Sequence, residues 1–290
     1  MAAGEEDQAA PFLRELAGHA KEVMEGRAEP AVPRDAATVM LVRPAGGAGQ
    51  PAGGGFEVYM LKRQSSMKFA PGAYVFPGGS VDRRDAEADL AWTGPHAAEW
   101  GRLLGVPPGA ARALVCAAVR ETFEESGVLL AGPSPDEVVA DTTAEDWEAD
   151  RHALLDRSQS LAGLLTRRGL MLRSDLLRPW SRWITPELER RRYDTRFFAA
   201  ALPPGQRTRD VGGEAEQVAW TRPGEALRAA RARELFLLPP TATCLAGLAG
   251  YPEVAAALRA EHSMRPVIPA VVQVDGTFWL TVPEDVGYPL

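Results

Sequence analysis

The stretch Arg120-Glu121-Thr122-Phe123-Glu124-Glu125-Ser126-Gly127-Val128 decides how the rest of the chain is read. It places three carboxylates within five residues. Upstream, Leu114, Val115, Ala118 and Val119 recur at helical spacing, and Gly127 is suited to stop a helix. On that helix Glu121 and Glu125 are i,i+4 neighbours, and Glu121 and Glu124 are i,i+3. Like charges at these spacings destabilise a helix by roughly 0.2–0.5 kcal/mol per pair. A cation over the cluster would offset that cost, and hard divalent ions take carboxylate oxygens together with substrate phosphates. The alternative is a solvated acidic face with Arg120 paired to Glu124.

Upstream lies Phe76-Pro77-Gly78-Gly79, followed after five residues by Asp85. Together the two segments resemble the signature of the Nudix hydrolases: glycine, five residues, Glu, seven residues, then Arg-Glu-aliphatic-any-Glu-Glu-any-Gly-aliphatic. The second half is matched at Arg120, Glu121, Glu124, Glu125, Gly127 and Val128, with Thr122 in the aliphatic slot. The first half is matched at Gly79, with Asp85 standing where the family has Glu. Between Asp85 and Arg120 lie 34 residues, 86–119, where the signature has seven. A box split in this way resembles the CoA and acyl-CoA diphosphatase-like subgroup, which carries an insertion inside it. Whether the shorter Asp85 side chain reaches the helix across that insertion stays open at this level.

The resemblance implies an α/β fold, an α/β/α sandwich with a mixed central sheet and helical insertions. It implies Mg²⁺ or Mn²⁺ held by Glu121, Glu124, Glu125 and a carbonyl at Gly79. Arg120 is expected to fix one carboxylate by a bidentate pair. The general base is either a box glutamate or a later carboxylate, Glu214 or Glu216. Before the box, Arg63, Lys68, Gly72 and Phe76 fall on the spacing of CoA-directed members. Arg63 and Lys68 either bind substrate or act as gatekeeping charges on an edge strand. The implied reaction is hydrolysis of a diphosphate bond in a nucleoside diphosphate-linked compound. CoA or acyl-CoA leads, giving 3′,5′-ADP and phosphopantetheine or its acyl form. ADP-ribose, NADH or a dinucleoside polyphosphate is the second reading. A non-catalytic nucleotide sensor is the third, and the intact glutamate trio speaks against it.

The 290 residues can bury a sizeable core, and 46% hydrophobic and 24% charged residues are ordinary for a globular chain. A net charge of −7 argues against a general nucleic-acid or anionic-membrane surface. Cys116 and Cys244 make neither a disulfide framework nor a zinc pattern, and their apolar neighbours predict buried thiols. No apolar run approaches ~18 residues. The acidic, Ala-rich start does not read as a signal peptide, and Gly-Tyr-Pro-Leu is not a Ser-Lys-Leu address. The cytoplasm is the expected compartment. The expected partners are a small nucleotide-type substrate and, as is common in the family, a second copy of the chain.

Residues 1–35 read as a polar tail with a weak helix, and 36–290 as one Nudix domain with insertions at 86–109 and 136–169. Residues 36–43 and 56–63 predict a strand hairpin. Residues 110–126 are the box helix, 128–130 a short strand and 193–202 a further strand. Trp92 and Trp100 predict that the first insertion packs as a small subdomain over the site or in a dimer interface. Trp147, Leu154, Leu155, Leu161, Leu164 and Leu165 make the second a helical cap, ending in Arg167-Arg168, a further candidate for substrate phosphates. Around Glu214 and Glu216, strand alternation predicts one carboxylate facing in and the other out.

Overall fold

The computed structural model describes residues 23, 26–46, 54–64, 70–86, 90–209, 215–274 and 277–290, and only the backbone at 215, 216, 271, 273, 274 and 277–280. All but Val23 of the weak N-terminal helix expected from the sequence lies outside these residues. The strands of the main sheet, in chain order, are β1 (Arg34–Pro44), β2 (Phe56–Arg63), β3 (Ala73–Val75), β4 (Gly78–Ser80), β5 (Arg178–Ile184), β6 (Tyr193–Ala201), β7 (Ala215–Thr221), β8 (Phe236–Leu237) and β9 (Pro266–Val267). Their order is β8-β3-β2-β1-β6-β5-β9, with β7 also on β2 and β4 also on β1. The sheet is mixed: β2 returns antiparallel to β1, with Val42 opposite Val58, while β6 runs parallel to β1 from Arg34↔Tyr193 to Val42↔Ala201.

The centre of β1 is apolar at nearly every position because both faces of the sheet are covered. Val39 and Leu41 enter one core, and Met40 and Val42 the other. The helices that lie wholly among the described residues are α1 (Arg83–Ala86), α2 (Ala97–Leu104), α3 (Pro108–Ser126), α4 (Glu145–Leu155), α5 (Leu161–Arg167), α6 (Pro223–Arg231), α7 (Pro239–Ala249) and α8 (Val254–Arg259). The first core holds α3 with both insertions, and the second holds residues of α6, α7 and α8. This is the layered α/β architecture expected. Of the 19 residues of α3, 13 are buried, so it is a core helix and not an amphipathic surface one. Pro108 opens it two residues before the expected start, since a proline at the first position has no N–H to leave unpaired. Gly127 closes it at φ 73°, donating its N–H to the Phe123 carbonyl.

Three local expectations are corrected. The first insertion is not a subdomain apart: α2 packs on α3, and Trp100, 1% exposed, meets the Phe198 ring edge-on at 5.9 Å. An indole of that size is better buried in the existing core than in a satellite one. In the second insertion Leu154, Leu161, Leu164 and Leu165 join the same core, while Leu155 faces out. Residues 128–130 form no strand; the short strand follows at Ala131–Gly132. The Gln206 amide takes the place of a neighbouring strand, accepting from the Leu129 N–H and donating to the Leu129 carbonyl, both at 2.9 Å. Both cysteines are buried as expected, and burial pushes their thiols up to about 12.

Candidate active site

Asp85 reaches the box helix. Asp82 ends the strand-to-helix turn by accepting from the Arg84 N–H at 2.9 Å, which starts the single turn α1. That turn brings the Asp85 carboxylate, 2% exposed, onto Arg120, with Nη2 to Oδ2 at 2.9 Å and Nε to Oδ1 at 3.0 Å. Asp85 also accepts the Asp82 N–H at 2.8 Å. The pair is the bidentate fork that arginine makes with carboxylates. The helical turn brings the backbone close, which makes up for the methylene that aspartate lacks relative to glutamate. Thr122 fits its aliphatic slot in a similar way: fully buried, it folds its hydroxyl back onto the Ala118 carbonyl at 2.7 Å.

The remaining donors of Arg120 organise the glutamates. Nη1 donates to Glu121 Oε1 at 2.8 Å and to Glu124 Oε2 at 3.0 Å, and Nη2 to the Ser80 carbonyl at 3.0 Å. Burial alone would lower the guanidinium's proton affinity, but the hydrogen bonds to Asp85 and the negative charges around it hold it above the ordinary arginine value. Glu124 has the opposite balance. Burial first, and then the charge of Glu121, push its carboxyl up to about 7. Glu125 turns to the other strand and accepts the Gly78 N–H at 2.8 Å.

Among the described residues, no three acidic, histidine or cysteine side chains stand together as a preformed cation cage. Arg120 lies between Glu121 and Glu124 and donates to one oxygen of each. The donor set nonetheless fits a hard divalent ion. Three carboxylates lie on consecutive turns of one helix beside the Gly78-Gly79 backbone, and each has two oxygens. Glu124 in particular would ionise more readily with a cation beside it.

Gly79 is there because Glu121 needs the space. A Cβ at Gly79 would lie 2.4 Å from Glu121 Oε1, whereas one at Gly78 would lie 2.6 Å from the Ala37 carbonyl. The two substitutions should therefore part company. Gly78→Ala meets backbone and is expected to lose about 1–3 kcal/mol in a melting experiment. Gly79→Ala meets only the end of a movable side chain, so it should melt near wild type while losing activity. Equal melting losses in the two variants would contradict this assignment.

The substrate residues expected before the box are placed only in part. Arg63 ends β2 opposite Ala215 of β7. The Gly72 N–H bonds the Arg63 carbonyl at 3.2 Å, closing the loop between them. Lys68 and Glu214 lie outside the described residues, as does the side chain of Glu216. The register between β7 and β2 shifts between Ala215 and Gln217, which leaves Glu216 as the extra residue of a β-bulge. Arg167 and Arg168 do not join the carboxylate cluster. They bond Asp150, Asp146 and Gln159 of their own insertion, and Arg168 stacks 3.6 Å over Trp147. Sequence reasoning missed Ser80, Gln206 and Arg151, whose polar atoms act across long loops with no local spacing to mark them.

The family model for the NUDT19 Nudix domain matches residues 97–247. Acyl-coenzyme A diphosphatase NUDT19 of Gallus gallus is 31% identical over 254 residues, covering 71% of this chain and 65% of that protein. The protein of the same name from Homo sapiens is 29% identical over 226 residues, covering 66% and 60%. The chain thus spans slightly less than two thirds of the length of these relatives. The crystal structure of a NUDIX hydrolase from Alicyclobacillus acidocaldarius shares the fold with a TM-score of 0.64 at 26% identity, covering 80% of this chain and 98% of that one. With the split box assembled as one carboxylate cluster on this fold, the chain belongs to the Nudix family, with a domain of the NUDT19 type.

Proposed function

We propose that this domain hydrolyses the diphosphate bond of CoA or an acyl-CoA, releasing 3′,5′-ADP and phosphopantetheine or its acyl form. The observation that carries the hydrolase reading is the joining of Asp85, Arg120, Glu121 and Glu124 into one network across the 34 intervening residues. The names of the chicken and human relatives support the substrate. In this reading Glu121, Glu124, Glu125 and a carbonyl at Gly79 hold Mg²⁺ or Mn²⁺. When bound, the ion supplies neutralisation of the diphosphate and acidification of the attacking water. Arg120 holds two of the carboxylates in register, and Asp85 holds Arg120. Glu216, at its bulge, is the further carboxylate in the proposal, and Arg63 and Lys68 are the substrate-facing cations.

The protein incubated with CoA or an acyl-CoA and Mg²⁺ or Mn²⁺ is expected to release 3′,5′-ADP, followed by chromatography. Turnover of ADP-ribose or NADH with none of CoA would overturn the substrate. Tight nucleotide binding by calorimetry, with no product from any of them, would overturn the hydrolase.

A further inference from the structure

We infer that Arg151, in the second insertion, is a positioning residue for the carboxylate cluster, and that Glu148 couples it to the loop after β6. This rests on the hydrolase reading above.

The last four carbonyls of a helix have no partner within it and must find donors elsewhere. At the end of α3 one of those donors is local and others come from far along the chain. The Gly127 N–H takes the Phe123 carbonyl at 2.9 Å, and the Arg209 N–H takes Ser126 at 3.0 Å. Just beyond the helix, the Thr142 hydroxyl donates to Gly127 at 2.6 Å. The carbonyl of Glu124 itself receives Arg151 Nη1 at 2.9 Å. Arg151 is 1% exposed, a cation sealed against the negative end of the helix dipole.

Arg151 is itself held. Its Nε lies 3.1 Å from both oxygens of Glu148. The same carboxylate pairs with Arg209 Nη1 at 2.9 Å. The Arg209 carbonyl is fixed by the Tyr59 hydroxyl at 3.0 Å. A single carboxylate therefore ties together two arginines that grip the same helix end, one from the insertion and one from the loop after β6. Gly127 fits this clamp closely, since a Cβ there would lie 2.7 Å from Arg209 Nε. The grip acts on the main chain of the residue whose side chain shares Arg120 with Glu121. Any slackening moves that carboxylate, and misplacement of about 1 Å can cost ~10²-fold in rate.

The test compares Arg151→Met, Arg151→Lys and Glu148→Gln in the full chain, reading Mn²⁺ affinity by the electron paramagnetic resonance of the free ion. Turnover of CoA is read alongside. Arg151→Met is expected to weaken Mn²⁺ binding and lower kcat by roughly 10–100-fold, as loss of a group supporting metal ligands does, with KM little changed. Arg151→Lys, which keeps a cation and a donor, should recover most of both, and Glu148→Gln should fall between. Wild-type Mn²⁺ affinity and kcat in Arg151→Met, with only a lower melting temperature, would overturn the inference. So would equal impairment of the Met and Lys variants. If Arg151→Met does not fold, unchanged Mn²⁺ affinity in both other variants overturns it. A wild-type protein that binds Mn²⁺ without hydrolysing CoA counts against the proposed function and leaves the affinity series to be judged alone.

Discussion

Glu124→Gln is expected to lower turnover by ~10²–10³-fold while making the metal-free protein more stable than wild type above neutral pH. The loss follows if Glu124 helps to hold the cation, since charge stabilisation by a metal is worth several kcal/mol and each ~1.4 kcal/mol is tenfold in rate. The gain in stability follows from proton linkage. The folded-state carboxyl is raised to about 7 from 4.5, chiefly by burial. Between those values the folded protein holds a proton that the unfolded chain has released. The stabilising contribution is full below about pH 4.5 and is lost as pH rises through about 7. At pH 8 wild type carries the whole cost of an ionised buried carboxylate, on the order of 3 kcal/mol. Glutamine, neutral at every pH, carries none of it. Melting curves without metal at pH 5 and pH 8 should show the two proteins close at the lower value and the variant ahead at the higher. Added Mg²⁺ should then raise wild type and leave the variant unmoved. A variant that melts below wild type at pH 8 without metal would remove the basis for both halves of this expectation.

Arg120→Met should be the most destabilising single change in the site. It strands Asp85, whose carboxylate is 2% exposed, without its cation. Removing one partner of a buried ion pair typically costs ~3–5 kcal/mol, because the other charge stays buried and uncompensated. For a chain of this size the melting temperature should fall by roughly 5–8 °C. Glu121 and Glu124 would lose their shared donor in the same step, so activity should vanish with or without added metal. The double variant Arg120→Met with Asp85→Leu tests the cause. If the stranded charge is what matters, the double variant melts well above Arg120→Met alone. Equal melting of the two would assign the loss to packing, not to charge.

Much of the site is legible in the sequence because its parts are close along the chain. Glu121, Glu124 and Glu125 are set on one helix by spacing alone, and Gly127 marks where that helix stops. Glycine at 78 and 79 signals a close approach of backbone, and the fold supplies what approaches: Thr38 and the Ala37 carbonyl at one, the Glu121 carboxylate at the other. The apolar run that places β1 and the alternation that places β2 are equally local. Helix starts are harder to read, because Pro108 begins α3 earlier than apolar spacing suggests. At Glu216 a bulge breaks the very periodicity from which a facing is inferred.

The chemistry is written in local sequence: a carboxylate-bearing helix, a glycine turn ahead of it, and the arginine between. These are short-range patterns, dictated by the helical repeat and by the size of a side chain. The pairing of Asp85 with Arg120 is not of this kind, since a 34-residue excursion separates them and folding alone makes them one buried pair. The same holds for the grip of Arg151 on the helix end that carries Glu124. The physical reason is common to both. A charged residue reads as solvated in the sequence until the fold removes the water, and burial then requires partners that only the fold brings within reach.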